Sequence, residues 1–238
     1  MSGRDSAVST FSPASGLSTA RARVQARSTG IYLVTDTGQC GPRGVVETVR
    51  AAVAGGIGTV QVREKHASAA EFYALVLAVA QAVGDRALVL VDDRVDLYLA
   101  AREAGAAVHG VHVGQSDLPA AAVRAIVGPD AVVGVTANTQ EHLREVRRLP
   151  AGTLDYLGAG VIRPTRTKAD HPKPLGLDGF RSFAAASPLP CVAIGGILAT
   201  DVAALRAAGA SGAAVVSAVC AASDPGLAAA DLVREWEK

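Results

Sequence analysis

The stretch Leu88-Val89-Leu90-Val91-Asp92-Asp93-Arg94 joins a continuous apolar run to an abruptly charged end. Such a run, without polar alternation, is typical of a strand that is covered on both faces in a parallel sheet. Similar β-branched runs recur along the chain from Ile31 onward. They predict eight strands, at residues 31–35, 59–62, 88–92, 108–111, 132–135, 156–158, 192–194 and 213–216.

Alanine-rich segments with helical spacing lie between these strands. They predict helices at residues 45–54, 69–83, 95–104, 120–127, 140–149, 177–185, 201–208 and 227–236. Three of them end in Ala-Gly, and we expect Gly55, Gly105 and Gly209 to supply the left-handed residue that closes a helix. Alternating strands and helices predict an α/β fold with a parallel sheet, and eight units predict closure into a (β/α)8 TIM barrel. The competing interpretation is an open doubly wound sheet of fewer strands.

The composition limits the classes of partner. The chain has 238 residues and a formal net charge of +1, from 23 basic and 22 acidic side chains. This balance gives no support for a nucleic-acid or membrane-surface partner, and no apolar run approaches the ~18 residues that span a bilayer. We therefore expect small-molecule substrates, no nucleic acid and no membrane, and leave a homo-oligomer open.

Cysteine usage and the first residues bear on the compartment. The three cysteines cannot all pair with one another, and Cys40 and Cys220 lie in unrelated sequence contexts without metal-like spacing. We therefore expect a reduced, cytoplasmic compartment. Residues 1–29 are rich in Ser, Thr, Ala and Arg, as a transit peptide would be. We favour a disordered extension there, followed by a catalytic barrel at residues 30–238.

The second predicted strand ends in Gln61-Val62-Arg63-Glu64-Lys65. In a (β/α)8 barrel the chemistry lies at the C-terminal ends of the strands. Alternation puts Gln61, Arg63 and Lys65 on one side of the strand, and Val62 and Glu64 on the other. Two cations and an amide at a barrel mouth predict an anion site. The alternative is a solvated strand end in which Arg63 pairs with Glu64.

Acidic residues end the next two strands. Asp92 and Asp93 close the third strand, and Asp117 follows the fourth. Asp93 and Asp117 each look like a helix N-cap when taken alone. Together they could share Mg²⁺, which prefers one or two carboxylates plus waters and phosphate oxygens. His112 either lines the pocket or is a satisfied core histidine.

Four later strand ends are candidates for substrate contacts. The loop after the sixth strand contains Thr165-Arg166-Thr167-Lys168, which could hold phosphate oxygens unless it is an ordinary surface loop. Gly195-Gly196 ends the seventh strand and Val216-Ser217 the eighth, where the usual phosphate site of these barrels lies. The turn at residues 136–139 after the fifth strand is rich in hydroxyls and amides, which is a weak signal.

The order of these motifs resembles the thiamine phosphate synthase (thiamine-phosphate pyrophosphorylase) family over nearly all of residues 31–220. No single stretch is decisive, but seven in order on one barrel are highly specific. The matching stretches are Tyr32-Leu33-Val34-Thr35-Asp36, Gln61-Val62-Arg63-Glu64-Lys65, Asp92-Asp93-Arg94-Val95-Asp96, Gly110-Val111-His112-Val113-Gly114-Gln115-Ser116-Asp117-Leu118-Pro119, Pro164-Thr165-Arg166-Thr167-Lys168, Ile194-Gly195-Gly196-Ile197 and Val216-Ser217-Ala218.

The resemblance implies a transferase that joins 4-amino-2-methyl-5-hydroxymethylpyrimidine pyrophosphate to 4-methyl-5-(2-hydroxyethyl)thiazole phosphate. The products would be thiamine phosphate and pyrophosphate, formed by a Mg²⁺-assisted dissociative substitution. The resemblance implies Asp93 and Asp117 as Mg²⁺ ligands, and Arg63, Lys65 and Lys168 as catalytic residues. The implied substrate-binding residues are Gln61, Val62, Arg63, Glu64, Lys65, Asp92, Thr136, Thr165, Arg166, Thr167, Lys168, Gly196, Val216 and Ser217.

Three residues depart from the family's usual pattern. Asp92 stands where Asn is usual, at a position that touches the pyrimidine substrate. Asn138 stands where His is common, and Arg163 where an aromatic residue is usual. A carboxylate beside pyrophosphate is unfavourable unless it joins the metal or is screened by Arg63 or Lys65. The departures therefore concern substrate contacts and leave the fold expectation unchanged.

Two other functions are compatible with such a barrel. A thiazole tautomerase shares the phosphate pocket but only transfers a proton on the thiazole, and it would not need residues 61–65, the acid pair and Lys168 together. A non-catalytic barrel would bind thiazole phosphate or thiamine phosphate as a sensor without turnover. Asp92 is the feature that keeps the sensor alternative open.

Overall fold

A closed barrel of eight parallel strands organises the molecule. The computed structural model describes residues 30–165 and 173–238, so the predicted extension at residues 1–29 lies outside it. Each strand pairs in parallel with the next, and the eighth pairs with the first. The strands are β1 Ile31–Val34, β2 Thr59–Val62, β3 Leu88–Asp92, β4 Gly110–Val113, β5 Val132–Thr136, β6 Tyr156–Gly160, β7 Cys191–Ile194 and β8 Gly212–Val215. The predicted (β/α)8 fold is confirmed, and the open doubly wound alternative is wrong.

Helices follow the strands around the outside of the barrel. Their bounds are Thr37–Cys40, Gly44–Ala54, Ala69–Val83, Val95–Glu103, Ala120–Val127, Gln140–Arg148, Gly176–Ala186, Ala199–Ala207, Ser217–Cys220 and Pro225–Glu237. Thr37–Cys40 and Ser217–Cys220 were not predicted, because one turn of helix is too short to show a period. Within the described residues, no helix is both long enough and apolar enough to cross a lipid bilayer.

The fourth strand begins two residues later than its apolar run suggests. Val108 and His109 precede it, and the strand runs from Gly110 to Val113. The backbone N–H of Val89 donates to His109 Nδ1 at 3.0 Å, and the His109 N–H donates to the Val89 carbonyl at 2.7 Å. The His109 ring therefore replaces a backbone carbonyl as the acceptor where β3 and β4 begin to pair, which the apolar pattern does not reveal.

The predicted helix-closing glycines divide into two groups. Gly105 and Gly209 have φ of 79° and 92°, in the left-handed region as expected. The prediction for Gly55 is wrong: its φ is −76°, and Gly56, with φ of 103°, closes the helix instead. A Cβ on Gly55 would overlap the Gly226 carbonyl and lie 2.9 Å from the Ala229 Cβ. Gly55 is therefore small because the C-terminal helix packs directly against it.

Side chains pointing inward form a small core of their own. Tyr32, Leu90, Val132 and Tyr156 belong to this buried inner cluster, while the larger cluster lies between the strands and the helices. Tyr156 pairs in register with Gly134 on the neighbouring strand. A Cβ at position 134 would overlap the Tyr156 ring. The tyrosine therefore occupies interior space that β5 leaves empty.

Two cysteines that are far apart in sequence meet beside β1. The helices Thr37–Cys40 and Ser217–Cys220 contact each other, and the Cys220 thiol donates to the Val34 carbonyl at 3.8 Å. The neighbouring Cys220 side chain lowers the pKa of Cys40 to about 6, and the Cys40 side chain raises the pKa of Cys220. Their unrelated sequence contexts did not indicate this contact. All three cysteines are free thiols.

Replacing Gly134 by Ala tests the packing of the inner cluster. The new methyl group would collide with the Tyr156 ring, so we expect the free energy of unfolding to fall by about 1–3 kcal/mol, as for other overpacked cores. Urea denaturation measures the change. Gly38→Ala is the matched control, because a Cβ there meets only Asp36 Oδ1 at 3.5 Å. Equal stabilities of the two variants would contradict this account of the interior.

Candidate active site

The cations that follow β2 lie among three carboxylates. Arg63 places Nη1 3.6 Å from Asp36 Oδ2 and Nε 3.7 Å from Asp92 Oδ2. Lys65 Nζ lies 3.0 Å from Asp92 Oδ2 and is also paired with Asp93. Both cations therefore belong to one charge cluster at the C-terminal rim. This arrangement differs from a solvated strand end with an Arg63–Glu64 pair.

The other residues of this strand end have different surroundings. Val62 is fully buried in the outer core between strands and helices, so its side chain does not reach the mouth. Glu64 accepts hydrogen bonds from the Thr37 hydroxyl and from the His66 backbone N–H. Gln61 is only 5% exposed and donates to the Tyr32 hydroxyl at 2.8 Å. The strand thus separates a polar inner face from an outer one, as its alternation predicts.

Asp92 is a buried carboxylate held between the two cations. Only 7% of the residue is exposed. Burial raises the pKa of Asp92, while the charges of Lys65 and Arg63 act in the opposite direction. Because Lys65 and Arg63 approach the same oxygen, Asp92 Oδ2, they provide the screening that an extra carboxylate near a pyrophosphate requires.

Asp93 and Asp117 form the second pair of acids. Asp93 has a left-handed backbone, with φ of 57°, and Asp117 Oδ2 accepts from the Gly114 N–H at 2.7 Å. The N-cap predictions for both are wrong, because the N-cap positions belong to Arg94 and Pro119, without a side-chain cap bond. Burial, and then the adjacent Asp93 carboxylate, raise the pKa of Asp117. The two acids therefore lie within hydrogen-bonding reach of each other.

This acid pair is suited to a hard divalent cation. Two carboxylates that face each other repel, and a shared cation would remove that repulsion. Mg²⁺ is commonly held by one or two carboxylates, with water and phosphate oxygens completing its coordination. Within residues 30–165 and 173–238, no cluster of three or more His, Cys, Asp or Glu side chains could hold a metal ion. Two carboxylates alone would leave most of the coordination positions of such an ion to other oxygen atoms.

Buried polar groups cross the barrel interior below these charges. The hydroxyls of Tyr32 and Tyr156 lie 2.9 Å apart, and His112 Nδ1 lies 2.9 Å from the Tyr156 hydroxyl. His112 Nε2 lies 3.0 Å from Thr136 Oγ1. His112 is thus a buried, hydrogen-bonded histidine that also contacts Thr136, a candidate substrate residue. The two interpretations of His112, as a core histidine and as a residue lining the pocket, are therefore each correct in part. The sequence showed Tyr32 within a motif and Tyr156 in a strand, but neither pattern pointed to a site role.

The opposite side of the mouth is built from glycines and short loops. Arg163 N–H donates to the Gly195 carbonyl at 3.0 Å, and a Cβ on Gly196 would lie 2.9 Å from the Arg163 Cβ. The loop after β6 therefore packs directly on the Gly195-Gly196 turn. The side chain of Arg163 pairs with Asp201, so it binds the helix Ala199–Ala207.

Residue pairing brings the candidate phosphate residues to one level of the rim. Ile194 of β7 pairs with Ala214 of β8, so Gly196 and Val216 lie two residues beyond one register position. Ser217 begins the helix Ser217–Cys220, and Thr165 ends the described part of the loop after β6. Arg166, Thr167 and Lys168 lie outside the described residues.

The rim after β5 holds Thr136 and Asn138. Thr136 pairs in register with Gly158 and is partly exposed. Asn138 is also partly exposed, and its backbone N–H donates to His142 Nδ1 at 3.3 Å. A histidine therefore does lie near this turn, but it comes from the following helix and binds the backbone.

Comparison with known proteins gives a consistent result. A sequence model of the family described as thiamine monophosphate synthase matches residues 31–219. A thiamine-phosphate synthase of Corynebacterium efficiens is 51% identical over 189 residues, covering 79% of this chain and 87% of that protein. One from a Psychrobacter species is 40% identical over 205 residues, covering 86% and 94%. The solved thiamine phosphate pyrophosphorylase of Pyrococcus furiosus superposes with a TM-score of 0.76 at 32% identity, covering 89% of this chain and 98% of that one.

Replacing Lys65 by Met tests the charge balance around Asp92. Without Lys65 the pKa of the buried Asp92 rises further. A carboxyl whose pKa is higher in the folded than in the unfolded state loses its contribution to stability as the pH rises. In metal-free buffer we therefore expect a loss of about 1 kcal/mol at pH 7 and a smaller loss at pH 4.5, measured by urea denaturation.

The double variant Lys65→Met/Asp92→Asn is the matched control for this experiment. It removes the carboxyl together with its partner, so the loss should depend less on pH, with the remainder coming from Asp93, which also pairs with Lys65. A loss of equal size at both pH values in Lys65→Met would show that Lys65 does not stabilise the charged form of Asp92.

Proposed function

The chain belongs to the thiamine monophosphate synthase family and is a transferase that makes thiamine phosphate, and we propose that it does so by joining a pyrimidine methyl pyrophosphate to a thiazole phosphate. The observation that carries this proposal is the rim itself, where Arg63, Lys65 and the acid pair lie on one side and the Gly195-Gly196 turn on the other. Two anionic substrates can bind facing each other across such a mouth.

The reaction breaks one bond and forms another. The C–O bond between the pyrimidine methylene and pyrophosphate breaks first, and its electron pair leaves with the pyrophosphate. The thiazole nitrogen then donates its lone pair to the resulting cation, forming a C–N bond and thiamine phosphate. No proton has to be removed, so the site needs groups that stabilise the departing charge.

Arg63 and Lys65 are the residues that we assign to this stabilisation. Their ammonium and guanidinium groups already lie together at the rim, each against Asp92. A pyrophosphate oxygen close to either cation is favoured more as negative charge develops on it, which lowers the barrier. We assign Lys168 to the same role from the family resemblance, together with Gln61 and Thr136 as contacts of the pyrimidine pyrophosphate.

Asp93 and Asp117 are the residues that would hold Mg²⁺. When bound, the ion would neutralise charge on the pyrophosphate oxygens that complete its coordination. Lys65 also pairs with Asp93, which screens the charge of this acid pair. We expect Lys65 to shift from Asp93 towards the pyrophosphate when substrate and metal bind.

The thiazole phosphate is assigned to the other side of the mouth. Gly196, Val216 and Ser217 offer backbone N–H groups and a hydroxyl at one level of the rim, which suits phosphate oxygens. Thr165 and Thr167 are assigned there from the resemblance, and Arg166 with them. Small-molecule substrates are thus the partners, and we propose a cytoplasmic location, which the free thiols of Cys40, Cys191 and Cys220 support.

Synthesis by the purified chain is the direct test of the proposed reaction. With both substrates and Mg²⁺, we expect thiamine phosphate and pyrophosphate in equal amounts, and neither product after chelation of the metal. Binding of thiazole phosphate without either product would favour a sensor. Proton exchange on the thiazole alone would favour a tautomerase.

Replacing Asp93 by Asn tests the assignment of the metal ligands. Asn tolerates the left-handed backbone at this position, whereas Ala would add strain to the loss of charge. We expect Mg²⁺-dependent turnover to fall on the order of 100-fold, with the Kd for thiazole phosphate nearly unchanged. Asp96→Asn is the control, because Asp96 is exposed and pairs with Arg94. Unchanged turnover in Asp93→Asn would remove Asp93 from the metal site.

A further inference from the structure

Five polar groups form a continuous hydrogen-bonded chain beneath the mouth of the barrel. Gln61 Nε2 donates to the Tyr32 hydroxyl at 2.8 Å, and the Tyr32 and Tyr156 hydroxyls lie 2.9 Å apart. The Tyr156 hydroxyl lies 2.9 Å from His112 Nδ1, and His112 Nε2 lies 3.0 Å from Thr136 Oγ1. The chain therefore connects two residues proposed to bind substrate through three that have no assigned role.

The number of protons on each group fixes which group donates in each hydrogen bond between Gln61 and Thr136. An amide NH₂ group can only donate, so the Tyr32 oxygen accepts from Gln61 and its own proton must go elsewhere. Among the described residues, the hydroxyl partner that remains for Tyr32 is Tyr156. The Tyr156 proton then goes to His112 Nδ1, so the imidazole carries its proton on Nε2 and donates it to Thr136 Oγ1.

Thr136 is the end of this sequence of donors. Because its oxygen accepts from His112, its own proton is left to point away from the chain, towards the partly exposed rim. Oxygen atoms of a pyrophosphate only accept hydrogen bonds, so a donor is what this position must offer. If the chain ran the other way, the Thr136 proton would go to His112, and the rim would present lone pairs to the anion.

We propose that Tyr32, Tyr156 and His112 are positioning residues that set Thr136 as a hydrogen-bond donor to the pyrophosphate. This inference rests on the proposed function for the identity of the anion. The direction of the hydrogen bonds does not rest on the proposed function, because it follows from the Gln61 amide at the start of the hydrogen-bonded chain. Gln61 lies on the same face of its strand as Arg63, and cations there favour the amide oxygen turned towards them and the NH₂ towards Tyr32.

The strands hold the chain rigidly. His112, Gly134 and Tyr156 are successive register partners on β4, β5 and β6, and Thr136 pairs with Gly158. A Cβ on Gly158 would lie 3.0 Å from His112 Cε1. The missing side chains at positions 134 and 158 thus leave the room in which the two rings meet.

The tautomer of His112 is the first measurement. In ¹⁵N-labelled protein without substrate, we expect the neutral ring to carry its proton on Nε2, with the signal assigned through its loss in His112→Gln. Gln61→Glu should move the proton to Nδ1, because a carboxylate only accepts and so reverses every donor along the chain. Gln140→Glu, on an outer helix, should leave the signal unchanged. A wild-type ring protonated on Nδ1 would overturn the proposal.

Steady-state kinetics test the positioning role itself. Tyr156→Phe breaks the chain, and we expect kcat/KM for the pyrimidine pyrophosphate to fall about tenfold, with KM for the thiazole phosphate unchanged. Adding Thr136→Val to Tyr156→Phe should cost much less than Thr136→Val costs in the wild type, because both act on one hydroxyl. Tyr98→Phe, which removes another buried tyrosine hydroxyl, should have no kinetic effect.

The outcomes separate this proposal from the proposed function. Fully additive losses in the double variant, or an equal loss in Tyr98→Phe, would overturn the positioning role. Absence of thiamine phosphate from the wild-type reaction would instead contradict the proposed function. The NMR result would stand in that case, because it requires no turnover.

Discussion

The narrow interior of an eight-stranded barrel is the constraint on which the site depends. Such a barrel is just wide enough to be filled by side chains, and every polar atom placed there needs a partner. Here β5 contributes Gly134, so the Tyr156 ring fills the centre and brings a hydroxyl into the apolar interior. Tyr32 and His112 satisfy that hydroxyl. The polar chain below the mouth is therefore a consequence of how the barrel is packed.

Above this chain, the rim is balanced in charge before any substrate arrives. Two cations side by side would repel each other, but Asp36, Asp92 and Asp93 lie between and around Arg63 and Lys65. These carboxylates thus offset the electrostatic repulsion between the two cations. A pyrophosphate bound there, as we propose, would exchange these ion pairs for new ones with cations that are already oriented.

The strands and the polar residues at their ends could be predicted from the sequence, because each depends on a pattern of consecutive residues. Apolar runs located the strands, and their polar ends located Arg63, Lys65, Asp93 and Asp117 at the rim. Contacts that depend on register could not be predicted, because Tyr32 and Tyr156 meet only when the barrel closes. The same is true of Cys40 with Cys220, and of His109, whose ring replaces a carbonyl at the start of β4. Gly55 shows the limit of local rules, since a distant helix decides its conformation.

The left-handed backbone of Asp93 has a consequence for how this position can vary during evolution. The proposed Mg²⁺ role of Asp93 requires a charged carboxylate at this position, which means Asp or Glu. A φ of 57° is adopted most readily by Gly, which has no Cβ to approach the following carbonyl, and by Asn and Asp, whose short polar side chains can hydrogen-bond locally. Asp meets both requirements, the carboxylate and the left-handed backbone. Substitution by Glu would keep the charge but would strain the left-handed backbone at this position.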